Sequence, residues 1–225
     1  MFKKLLGAFG MGGDGGKPPG LFHEPYADLQ VNMLYNLLFC DNLDLFRNGS
    51  QHGDALWTTL LAGRPDVPAL QKIAADAAAE GRVRALACAR LRAAGAAVPH
   101  KLLLGTIIEV PQQGGLDVLA AFCDGGVRYL NQSGRASIFE GSSHPAAALA
   151  RELLEVSQAV VEQIGPWDKA RLPPPQGEMV RLSFLVSDGL YFGQGPWEVL
   201  QRDAKGGPLL GKATQLLQQV VAMPR

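Results

Sequence analysis

Apolar positions between residues 102 and 140 fall into four short runs, KLLLGTIIEV, LDVLAAFC, GVRYLN and RASIFE, separated by PQQGG, DG and QSG. Runs of this length between turn residues predict an antiparallel meander of four strands. Asp124-Gly125, between Cys123 and Gly126, predicts a two-residue type I′ turn. Gln132-Ser133-Gly134 fits a three-residue loop with Gly134 in the left-handed region. In that register Phe122 sits beside Val127 and Ala120 beside Tyr129 on one face. On the other face Leu119 meets Leu130, and Arg128 lies between Ala121 and Ile138, diagonal to Glu140. A second hairpin follows in EMVRLSFLVSDGLYFGQG, where Asp188-Gly189 as the turn pairs Val186 with Tyr191 and Leu185 with Phe192.

Before the meander the period changes from two to that of a helix. Pro25 suits a first helical position, and Tyr26, Leu29, Met33, Leu34, Leu37 and Leu38 repeat at helical spacing. Asp54 to Leu61 predicts a second helix, Asp66 caps a third, and after an interruption at Gly81 a fourth carries Val83, Leu86, Ala87, Leu91 and Ala94 to a C-terminal cap at Gly95. On that fourth helix Arg82 and Arg92 are expected to point outward, with Arg90 inside the apolar stripe. After the meander, Ser142 or Ser143 caps a helix with Pro145 in its first turn, and its apolar positions run to Ile164. RLPPPQG is an extended connector. Pro196 and Glu198 open a short helix, and a final one from about Pro208 carries Leu209, Leu210, Ala213, Leu216, Leu217, Val220 and Val221 on one side.

This order of elements predicts an α+β fold: a mainly antiparallel sheet packed with helices, preceded by a helical N-terminal section. The expected division is a tail over 1–20, a helical section over 21–98 and an antiparallel α+β domain over 99–225, or one continuous domain over 21–225. In the tail, Phe2, Leu5, Leu6 and Phe9 line one face with Lys3 and Lys4 beside them. Two lysines supply little attraction to anionic lipid, so membrane docking through residues 1–10 is the lesser expectation.

Charge narrows the function classes. Lys plus Arg and Asp plus Glu both number 21, so no basic excess favours nucleic acid as a partner. Cys40, Cys88 and Cys123 are odd in number, far apart and set in apolar runs, which predicts free buried thiols in a reducing compartment, the cytoplasm. The four histidines, His23, His52, His100 and His144, show no HxxxH, HxH or HExxH spacing, so no metal is expected. Only folding could bring His23-Glu24 to His52 and Asp54. Gly193-Gln194-Gly195 lacks the third glycine of a dinucleotide fingerprint, and neither GxxxxGK[ST] nor GxSxG occurs, so no cofactor and no catalytic residue is assigned.

Two features remain. Gly165-Pro166-Trp167-Asp168 and Gly195-Pro196-Trp197-Glu198 nearly repeat each other, setting Trp167 and Trp197 at helix ends where they could rim a cleft or a partner surface. Arg128 and Glu140, joined by Glu109 and Asp117, form a candidate polar site on the sheet. The candidate ligand or partner residues are therefore Arg128, Glu140, Asp188, Tyr191, Trp167 and Trp197. The expectation is a non-catalytic cytoplasmic interaction or regulatory protein with a protein partner or a second copy of itself. The alternative is a small-molecule enzyme or sensor that holds an anionic ligand between the helical section and the sheet.

Overall fold

The computed structural model describes residues 20–48 and 54–223; the tail segment over residues 1–10 and His52 lie outside the described residues. Five helices come first: α1 (Leu29–Leu37), α2 (Leu43–Asn48), α3 (Ala55–Leu61), α4 (Val67–Ala75) and α5 (Gly81–Ala93). The meander supplies β1 (Leu103–Gln112), β2 (Gly115–Phe122), β3 (Val127–Leu130) and β4 (Ala136–Phe139). Helix α6 (Ala147–Val161), hairpin β5 (Met179–Val186) and β6 (Gly189–Pro196), and helices α7 (Trp197–Arg202) and α8 (Gly206–Ala222) complete it. The fold is α+β, as expected.

Helix starts follow the short acidic side chains. Asp66 caps α4 through its carboxylate, as expected, whereas Asp54, expected as the first residue of its helix, is the cap of α3. The first helix begins at Leu29 rather than Pro25, because Asp28 takes the backbone N–H groups of Gln30 and Val31. Helix α2 has no counterpart among the expected elements; its six residues are too few to display a helical repeat. Helix α6 begins at Ala147, beyond the expected serine caps, and ends at Val161, before Ile164. At the end of α5, Gly95 has φ +68° and the Ala96 N–H reaches back to the Leu91 carbonyl at 2.9 Å, closing the helix as expected. Arg82, however, does not point outward: it is 4% exposed, bonded to Glu80 and stacked over the Phe122 ring.

The six strands form one antiparallel sheet in the order β4-β3-β2-β1-β5-β6. One face, carrying Ile107, Val118, Ala120 and Leu130, packs on α1 through α5. The opposite face, carrying Ile108, Leu119, Ala121, Val127 and Phe184, packs on α6 and α8.

The hairpins test the expected registers one by one. The loop of Gln132, Ser133 and Gly134 is as expected, with Gly134 at φ +81° and the Asn131 N–H bonded to the Arg135 carbonyl at 3.0 Å. The β2–β3 turn is not type I′. Phe122 bonds Gly126 across a three-residue loop, in which only Gly125 has positive φ. The register is therefore one residue off the expected one: Leu119 faces Tyr129, Ala120 faces Arg128 and Ala121 faces Val127. A slip of one residue changes faces, so Phe122 lies on the side of α1–α5 and Val127 on the side of α6 and α8. The physical reason is Asp124, whose carboxylate accepts the Gly81 N–H at 3.1 Å and so tethers the start of α5.

The β5–β6 bend also differs from the expected one. Its turn residues are Ser187 and Asp188, so Val186 faces Gly189 and Phe184 faces Tyr191. This is a slip of two, which keeps every side chain on its expected face. Gly189 is needed for close approach rather than for positive φ, since a Cβ there would meet the Pro166 side chain at 2.8 Å.

Candidate functional site

Arg128 lies on β3 between Ala120 and Ile138, and its partner Glu140 is on the same side, with Nη2 to Oε1 at 3.8 Å. Glu80 at the start of α5 approaches the same nitrogen at 3.6 Å, while Nη1 donates to the Phe139 carbonyl at 2.6 Å. The guanidinium is 3% exposed. Burial and the nearby Arg82 cation push its pKa down to about 10, so it stays charged at neutral pH.

Asp188, Tyr191 and Trp167 gather at the opposite edge, four strand spacings or roughly 19 Å away. The Tyr191 hydroxyl donates to Asp188 Oδ1 at 3.1 Å, His100 Nδ1 is 3.2 Å from Asp188 Oδ2, and the Lys101 N–H points to that oxygen at 3.4 Å. These contacts clamp the β5–β6 bend to the start of β1. Trp167 bonds backbone to backbone with Leu190 at 2.7 Å and meets the Phe192 ring edge-on at 5.1 Å. The two Gly-Pro-Trp corners are far from equivalent: Trp167 seals an edge strand, and Trp197 stands at the start of α7 with 36% of its surface exposed.

Glu109 and Asp117 do not converge on Arg128. Glu109, on β1, is buried beneath α1 at the centre of a network that the local sequence does not advertise. The Tyr35 hydroxyl donates to its Oε1 at 2.7 Å, while Oε2 is buried without a hydrogen bond. Burial raises the Glu109 pKa, opposed by Tyr35, Arg181, Arg171 and Ser183. Arg171, from the RLPPPQG connector, reaches in to bond Asp41 at 2.7 Å and Asn36 at 2.9 Å, and its guanidinium lies 3.9 Å from the Phe39 ring centre. Arg181 bonds Gln194 at 2.8 Å and the Leu172 carbonyl at 3.1 Å. Together these contacts pin the connector to α1 and to the sheet. Its only sequence signal is an arginine beside a proline run.

Asp117 faces the other way, into a cleft of about 310 Å³. Ile108 and Val110 on β1, Leu119 on β2 and Tyr129 on β3 make its floor. Leu210, Ala213, Thr214 and Leu217 of α8 make one wall, Trp197 stands at the rim, and Gln112 and Asp117 lie at the polar end. Asp117 Oδ1 is fixed by the Gln132 N–H at 2.8 Å. Burial, and then the Asp117 charge, push the Tyr129 hydroxyl up to about 12. The wall continues past the cleft: Val221, one turn beyond Leu217, is 61% exposed.

No known protein family matches this chain, and no curated protein is similar to it.

The chemistry available to the described residues follows from these environments. Burial raises the pKa of all three thiols, Cys40 to about 12, which withholds the thiolate at neutral pH. Burial and then the Arg171 charge lower the pKa of His23. Among the described residues no three His, Cys, Asp or Glu side chains gather as a metal site, and no helix is long and apolar enough to cross a membrane.

Proposed function

We propose that this chain is a non-catalytic interaction protein and that a partner chain engages it in the cleft between α8 and the sheet. The carrying observation is the apolar lining itself: Leu210 and Ala213, both buried, close the deep side of the cleft, half-buried Leu217 lines it, and exposed Val221 and Trp197 extend it. Isolated apolar residues on a surface need no explanation, but a continuous strip beside a preformed cleft does. Its size suits the insertion of a few anchoring side chains, the usual source of interface energy. The free thiols fit a reducing compartment, and we place the chain in the cytoplasm.

The candidate residues divide accordingly. Trp197 belongs to the interface. Arg128, Glu140, Asp188, Tyr191 and Trp167 serve the fold by tying strands, bend and helices together. An anionic ligand at Arg128 would have to displace the Phe139 carbonyl, Glu80 and Glu140, which are already in place. The test is capture on immobilised full-length chain, followed by reconstitution of the complex from purified components. Leu217→Arg should weaken that complex by about tenfold or more, and Lys72→Glu on the opposite side of the sheet should leave it unchanged. A reconstituted complex indifferent to Leu217→Arg, or none at all, overturns the reading.

A further inference from the structure

We infer that the occupant of this cleft is an amphipathic helix of a partner protein, with apolar side chains at helical spacing and a lysine or arginine set against Asp117. The inference rests on the interaction reading above and gives the partner its chemistry.

Three observations carry it. The first is the shape of the site. Leu210, Ala213, Leu217 and Val221 follow one another at intervals of three and four along α8, a strip of roughly 17 Å at the rise of an α-helix. Leu210 and Ala213 are buried at its inner end, so an elongated element lying along it meets Leu217 and Val221, one turn apart, and reaches the inner pair only with side chains inserted into the cleft.

The second is what the floor lacks. An extended peptide binds a sheet by adding to an open edge, where its backbone finds partners. The floor here is the face of β1, β2 and β3, and each of these strands is already paired on both sides. An extended occupant would bury its own N–H and C=O groups against side chains, at a cost for each unmet group. A helix arrives with those groups satisfied, which leaves only side chains to match.

The third is charge. Among the described residues Asp117 is the one carboxylate in the lining, and no lysine or arginine lines the cleft. The Gln132 N–H and the Tyr129 hydroxyl both donate to its carboxylate and hold it in place, so an incoming cation meets an oriented acceptor. An acidic helix would bring its charge against Asp117 in a half-buried setting, where repulsion is poorly screened.

The experiment titrates the full chain with two helix-forming peptides of about fourteen residues, long enough to span the strip. Both carry leucines at i, i+3, i+4, i+7 and i+11. One has lysines flanking the leucine stripe and its twin has glutamates there. The lysine peptide should bind about tenfold more tightly or better. Asp117→Asn, which keeps the oxygen that accepts from Gln132, should shrink the gap to about twofold or less. Leu217→Arg should abolish binding of both, with the melting temperature lowered by no more than a few degrees, since Leu217 is half-buried against the core under α8.

Equal affinity of the twins, still dependent on Leu217, overturns the charge assignment and leaves the interaction reading standing. Failure of both peptides to bind, alongside a reconstituted complex that does depend on Leu217, overturns the helix and again spares that reading. Self-association of the full chain that Leu217→Arg abolishes would make the occupant a second copy and overturn the inference as well.

Discussion

One sheet presents two unlike faces. Toward α1–α5 it carries Glu109, Arg128, Arg181 and Ser183, all buried, with Tyr35 and Arg171 reaching in to meet them. Toward α6 and α8 it carries Ile108, Leu119, Ala121, Val127, Leu182 and Phe184 against Ala150, Leu153, Leu209 and Leu216. Buried charge is costly unless its partners are in place, so the first face admits few arrangements of the elements that cover it. Apolar contact is non-directional, so a helix can settle on the second face and leave part of it open. The difference explains why the cover of the first face is fixed by specific pairs, with an opening of about 450 Å³ only at its rim beside the β1–β2 turn and the 173–176 connector, whereas the second face carries a cleft alongside α8.

Substitutions of similar size should separate the faces. Arg171→Met removes the contacts to Asp41, Asn36 and Tyr35 while keeping bulk. It should cost about 2–3 kcal/mol, because Asn36 and Tyr35 lose a buried partner while Asp41, at the surface, is left to water. Leu153→Met on the apolar face should cost less than about 1.5 kcal/mol. Urea unfolding of both variants measures the gap, and equal losses would break the comparison.

Glu109 gives the contrast a pH dependence. Its pKa is raised in the fold, so the folded chain holds that proton more tightly than the unfolded chain does. Its contribution to stability is therefore greatest below the ordinary carboxyl value and declines as pH rises through the raised folded value. Glu109→Gln should remove that slope and cost about 1–3 kcal/mol at low pH, since its buried NH₂ group finds no acceptor where Oε2 now has no partner. Denaturant midpoints across the acid range, wild type against variant, read the slope directly. The smallest effect belongs to the open side: Trp197→Ala should lower stability by about 1 kcal/mol. The same variant should weaken the lysine peptide by about tenfold, with calorimetry reading the binding and thermal melting the stability.

Much of this fold was legible because its signals are local. Asp66 acts as a cap within three residues, Gly134 turns its own loop, and Arg128 meets Glu140 just past the neighbouring strand. The two Asp-Gly pairs misled because their roles are not local. Asp124 is committed to Gly81 on α5, and Gly189 makes room for Pro166. Arg171 was illegible for the same reason, since its acidic partner Asp41 is 130 positions away. The apolar stripe of α8 could be read in full, but a stripe does not disclose how much of itself a neighbour covers. Val221 shares the pattern of Leu209 and Leu216 and yet remains outside.

The most direct test is amide hydrogen exchange on the full chain, with and without a saturating amount of the lysine peptide. The account expects added protection along α8 and around Trp197, with α1 and the 167–177 connector unchanged. Protection that appears at α1, the connector or the Arg128 cluster, with α8 exchanging as before, would place the docking surface on the charged face and contradict it.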